Sequence, residues 1–247
     1  MGQSALRRPF PVRYVRSPLA HALQVEVEWA EPVAPSDADL VDPINSWGEV
    51  ARLGGMGGEE IDPARSSLVA EAPQFLGDRR AAFHFSDVHI DPRSLMILEN
   101  VLHFMHATRK PLSQVSIMTD MLSTFQALED EFPPLYEPVP FSYRYGATDL
   151  RVFVEIEFES DQPAEVLADL TARARVWGAL GLACGYAEPG ALPSAGYLVL
   201  DDIEQYSDML LLSMQRKSAT EFAFDGLVNM LQPIHGRPVP VRELRVL

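Results

Sequence analysis

The chain has 247 residues, 47% hydrophobic and 22% charged, which suits an ordinary folded protein of one large domain or two smaller ones. Its formal charge of −15 comes from 35 acidic residues against 20 basic ones, and so acidic a surface disfavours nucleic acid as a partner. No apolar run is long enough to cross a bilayer, and the single cysteine, Cys184, excludes an intrachain disulfide, so a cytoplasmic protein without a membrane contact is expected.

Residues 1–16 form a basic arm with four arginines and no acid, suited to clamping an acidic surface. The first half of the chain, 17–119, alternates two hydrophobic periods. Strands are expected near 22–30, 67–74, 82–90 and 112–118, and helices near 37–47 and 93–108. Pro43 shortens or kinks the first helix, and Asp91-Pro92 marks the start of the second. Residues 120–145 read as a short helix from Met121 followed by a stiff linker, EFPPLYEPVP, whose four prolines oppose regular structure. In the second half, 146–247, strands are expected near 150–159, 196–203, 209–216 and 240–246, and helices near 163–177 and 219–232. The later helix would open on a Ser218-Ala-Thr-Glu221 capping box.

The halves echo each other. VEVEW at 25–29 returns as VEIEF at 154–158, and Trp47-Gly48 returns as Trp177-Gly178. Residues 84–106 align without a gap on 210–232, and 112–118 correspond to 241–247. The expected fold class is α+β: two tandem ferredoxin-like (βαββαβ) units from an internal duplication, packed as a pseudo-twofold intramolecular dimer through sheet edges or open sheet faces.

Several residues carry potential chemistry. Glu99, His103 and His106 share one face of the second helix, at spacings that allow three metal ligands. At the aligned positions the second half has Asp225, Asn229 and Gln232, a poorer ligand set, which favours a polar helix face. Strand alternation puts His84 on the open face of the sheet beside Glu26 and Glu28, as a candidate general base or metal ligand. The strand at 209–214 is apolar on both faces and calls for cover on both. Glu155, Glu157, Glu159 and Asp161 line one strand face and its exit, answered by Arg144 and Arg151.

LGGMGG (53–58) and GLACGY (181–186) each follow a helix, which is the place of a C-cap rather than a phosphate loop. Cys184 has no basic activator nearby in sequence and reads as a small buried residue. GLACGY ahead of the strand starting Gly196-Tyr197-Leu198 resembles the glycine-rich turn of YggL, a small bacterial ribosome-associated family with this strand order; the likeness spans too short a segment to imply a function.

The expected function is that of a non-catalytic binding or accessory protein, acting through protein–protein contacts with a protein partner or as a homo-dimer and requiring no cofactor. The alternative is a metal-dependent or small-molecule enzyme with a site between the halves, using His84 with Glu26 or Glu28, or the Glu99, His103 and His106 trio.

Overall fold

The computed structural model describes residues 9–16, 22–34, 37, 40–56, 73–86, 92–119, 139–187, 197–217, 219, 221–236 and 239–247. The chain is a mixed α+β protein with two five-stranded sheets and four main helices among these residues. In chain order the first half gives β1 (Val12–Arg16), β2 (Ala22–Trp29), α1 (Asp42–Arg52), β3 (Gln74–Phe75), β4 (Arg80–Ser86), α2 (Pro92–Thr108) and β5 (Leu112–Thr119). The second gives β6 (Ser142–Tyr145), β7 (Arg151–Phe158), α3 (Ala164–Leu182), β8 (Tyr197–Gln205), β9 (Met209–Lys217), α4 (Phe222–Leu231) and β10 (Val241–Val246).

The sheets have the same strand order, β1-β5-β2-β4-β3 and β6-β10-β7-β9-β8. In each, one short edge strand runs parallel to its neighbour and the remaining pairs are antiparallel. Two segments differ from expectation here. The basic arm supplies β1, and the end of the expected linker supplies β6; Met121 and most of the proline run lie outside the described residues. Alternation explains both strands, since Val12 and Tyr14, like Tyr143 and Tyr145, pack against the core while arginines between them face outward.

Register also corrects the alignment of the halves. Val25 pairs with Phe83, and 129 positions later Val154 pairs with Leu212. The gapless match of 84–106 to 210–232 is therefore three residues out for these strands; an odd slip exchanges the faces of a strand, but 209–214 is apolar on both, and a three-residue slip nearly keeps a helix face. Pro43 sits in the first turn of α1, where it costs no hydrogen bond, so that helix runs on to Arg52 without a break. Helix α4 starts at Phe222, which makes Glu221 its N-cap rather than the last residue of a capping box; Ser218 lies outside the described residues.

The halves join through their helices. Helix α1 packs on α3, α1 also on α2, and α3 on α4, and the buried faces of both sheets belong to one continuous hydrophobic core. The expected contact through sheet edges or open faces gives way because these helices are apolar on too many sides. In α4 every residue but Asp225 is buried, so covering it takes a sheet on one side and helices or turns on the other.

The glycine-rich turns make the crossing contacts. Gly55 and Gly185 have no room for a side chain, since a Cβ on Gly55 would lie 2.9 Å from Met230 of α4 and one on Gly185 would lie 3.1 Å from Ile97 of α2. Asn100 of α2 donates to the carbonyls of Gly185 and Ala187 at 3.2 and 3.0 Å, tying the second turn to the first half.

Candidate functional site

The trio on α2 lies beneath the edge strand. Phe10, 3% exposed, meets the His103 ring edge-on at 5.4 Å between centroids and the His106 ring at 5.2 Å. The Tyr14 hydroxyl donates to Glu99, and the Leu112 backbone N–H donates to His106 Nδ1 at 3.0 Å. That bond makes Nδ1 an acceptor and leaves the proton of a neutral ring on Nε2. All three side chains are half-buried, so the stripe is a seat for residues 10–14 rather than a solvated face.

The second half has a related arrangement. Phe141 meets the His235 ring at 5.7 Å, and the Tyr143 hydroxyl lies 3.4 Å from Asp225. Burial and the adjacent Asp225 carboxylate push the Tyr143 hydroxyl well above the ordinary tyrosine range. His235, 129 positions after His106, is the partner that the slipped sequence alignment hid behind Gln232.

His84 is exposed on β4, between buried Phe83 and Phe85, as alternation requires. Its cross-strand neighbour is Gln24; Glu26 stands opposite Ala82 and Glu28 opposite Arg80. The Gln24 side-chain amide donates to Glu26 at 2.7 Å, which occupies the nearest carboxylate. His84 and the α2 trio lie on opposite sides of the first sheet and do not converge. Among the described residues no cluster of three His, Cys, Asp or Glu side chains is grouped to hold a metal ion. His89 lies outside the described residues.

The carboxylates of β7 are answered mainly from β10. Arg242 and Arg245 both engage Glu157, Arg245 also reaches Glu155 at 2.7 Å, and Arg144 of β6 pairs with Glu243 at 3.0 Å. The Arg242 hydrogen bond holds the Glu157 carboxyl below its usual range. Arg151 takes a different role, its guanidinium lying over the Phe153 ring at 5.5 Å. Cys184 is 2% exposed, and burial pushes its thiol up to about 11, which keeps it in the unreactive protonated form.

The feature that sequence reasoning only half anticipated is the open face of the second sheet. Met209 and Leu211 of β9 are half-buried on it. At one end Leu150 is 73% exposed, Phe153 37% and Leu247 52%. Phe153 and Leu247 exchange backbone hydrogen bonds of 3.0 and 2.8 Å, so they stand opposite each other on one face. Beside them a shallow depression of about 470 Å³ is lined by Leu150, Arg151, Asp201, Gln215 and Lys217. The apolar character of 209–214 pointed to this sheet, but no local pattern joins residues 150, 153 and 247.

These features define a mixed α+β protein with one polar and one partly apolar open sheet face. No helix among the described residues is long and apolar enough to cross a membrane. No family model and no curated protein matches the chain. Among solved structures it is similar to a chain in "Complex III2 from Candida albicans, Inz-5 bound", at 9% identity and a TM-score of 0.20 over 90% of this chain and 72% of that one. A protease from Helicobacter pylori matches at 10% identity and a TM-score of 0.19, over 90% of this chain and 77% of that one. A conserved protein from Enterococcus faecalis V583 matches at 6% and 0.19, over 91% and 77% respectively. Likeness at this level transfers neither fold nor function.

Proposed function

We propose that the protein is a non-catalytic binding protein, built from two ferredoxin-like βαββαβ units of duplicated origin, that meets a protein partner or a second copy of itself over the open face of its second sheet. The observation that carries this reading is the pairing of the exposed Phe153 and Leu247 on that face, with the exposed Leu150 lining the depression beside them. The same side of the first sheet presents Gln24, Glu26, Glu28 and His84. Exposed apolar side chains that cluster, rather than scatter, mark contact surfaces.

The duplicated origin rests on the shared strand order and on register equivalence at 129 positions. On this view β1 and β6 belong to their units, and the boundaries fall nearer 9–119 and 139–247 than 17–119 and 146–247. A photo-crosslinking amino acid placed at Phe153, with His84 as the control position, tests the docking face in the native cell. A discrete adduct from position 153 and none from 84 is expected. Equal yields at both positions, or none at 153, would overturn the reading.

A further inference from the structure

Within that docking reading, on which this inference rests, we propose that the end of the open face around Leu150, Arg151 and Lys217 recognises a segment of a partner protein that pairs a carboxylate with an aliphatic or aromatic side chain. The chemistry is unusual for this chain. Only two of its 20 basic residues are lysines, and its net charge is −15, yet this corner offers two cations to solvent.

Neither cation takes part in an ion pair among the described residues. Arg144, Arg242 and Arg245, on the same sheet, are all engaged by glutamates. Arg151 lies over Phe153 and Lys217 lies 5.1 Å from the centre of the Tyr197 ring. A ring beneath a cation fixes its position while leaving its N–H groups free to meet an anion.

Two of the carboxylates nearby accept hydrogen bonds from neutral groups of this chain. Asp201 accepts from the Gln215 amide at 3.3 and 3.4 Å, and Asp202 accepts from the Ile203 backbone N–H at 2.8 Å. Strand pairing sets the spacing. Arg151 stands opposite Gln215, and Lys217 follows two residues along β9, which makes the two cations diagonal neighbours roughly 7–8 Å apart at their backbones. An incoming carboxylate between them would find two charged donors, with the exposed Leu150 and Phe153 side chains beside it for an apolar group. Electrostatic complementarity of this kind selects among partners even where each exposed charge contributes little.

Two pools of fluorescein-labelled octapeptides test the assignment, each carrying leucine or phenylalanine at two positions. One pool has Asp or Glu at two further positions and the other has Asn or Gln there. Fluorescence anisotropy at low salt is expected to show the acidic pool binding about tenfold more tightly, a preference of about 1.4 kcal/mol that weakens as salt is added. The R151Q/K217Q variant is expected to lose that preference, and L150S/F153S to weaken both pools. Thermal unfolding monitored by circular dichroism checks that these exposed substitutions leave the fold intact. Equal binding of the pools, no binding of either, or an acidic preference that survives R151Q/K217Q would overturn the proposal. Equal binding that L150S/F153S abolishes would leave the docking face standing and remove only its acidic selectivity.

Discussion

The two halves agree inside and diverge outside. Trp47 donates its indole N–H to the Ser94 carbonyl at 2.6 Å, and Trp177 donates to the Ala223 carbonyl at 2.7 Å, binding helix to helix in the same way. Both first helices end in the same turn. The N–H groups of Gly54 and Gly55 return to Ala51 and Val50, and those of Cys184 and Gly185 return to Gly181 and Leu180, which is a Schellman closure in each case. The outer faces carry no such constraint: one sheet presents polar cross-strand pairs while the other exposes leucine and phenylalanine. Close-packed interiors penalise change by several kcal/mol, whereas exposed positions accept it almost freely.

The largest test of this comparison is removal of either tryptophan. Both are fully buried, and Trp47→Ala or Trp177→Ala should each cost about 3–5 kcal/mol in urea denaturation. Because one core spans both sheets, each variant should still unfold in a single transition. Two separated transitions would show that the halves are independent and that the helical interface contributes little.

A smaller effect separates the two turns. Gly54 has φ 83° and Cys184, in the matching place, has φ 58°, in the left-handed region that side chains avoid. Gly54→Ala should destabilise by about 1–2 kcal/mol. Cys184→Gly should stay within about 1 kcal/mol of the parent, since relief of backbone strain is offset by loss of the buried thiol and by glycine's chain entropy. A large loss from Cys184→Gly with no effect from Gly54→Ala would break the equivalence.

The smallest effect concerns a difference between α1 and α3. Glu49 is 7% exposed, while Ala179, 130 positions on, is exposed. Burial raises the Glu49 carboxyl above its usual range, outweighing the Arg52 guanidinium at 3.2 Å. The ionised form is therefore disfavoured in the fold, and protonation favours folding. Glu49→Gln should be more stable than the parent at neutral pH, and its advantage should shrink as pH falls through the raised value and disappear below about 4.3, the unfolded carboxyl value. Unfolding free energies measured across that range would show no pH-dependent difference if Glu49 is in fact solvated.

Much of the second half was legible because its signals are local. Alternation in RVFVEIEF and MLLLSMQRK placed β7 and β9 within a residue or two, and their buried faces follow the same alternation. The first half was harder. Pro43 looked like a break but occupies the first turn of α1, and β1 is too short and too basic to stand out before its partner β5 is known. Histidines and a glutamate at helical spacing looked like ligands or a wet stripe. They are the seat of Phe10 and Tyr14, residues nearly a hundred positions away.

By itself the sequence determined the periodic elements, the echo between the halves, the glycine-rich helix ends and an acidic chain that disfavours nucleic acid. These follow from the spacing of apolar, glycine and charged residues over a few turns of chain, where side-chain direction is dictated by local geometry. Tertiary structure alone decided that the halves meet through their helices, that His84 and the α2 histidines lie on opposite sides of a sheet, and that Phe153 and Leu247 share one face. Each depends on which surfaces bury one another, and burial is a free energy of the whole packed chain rather than of any segment.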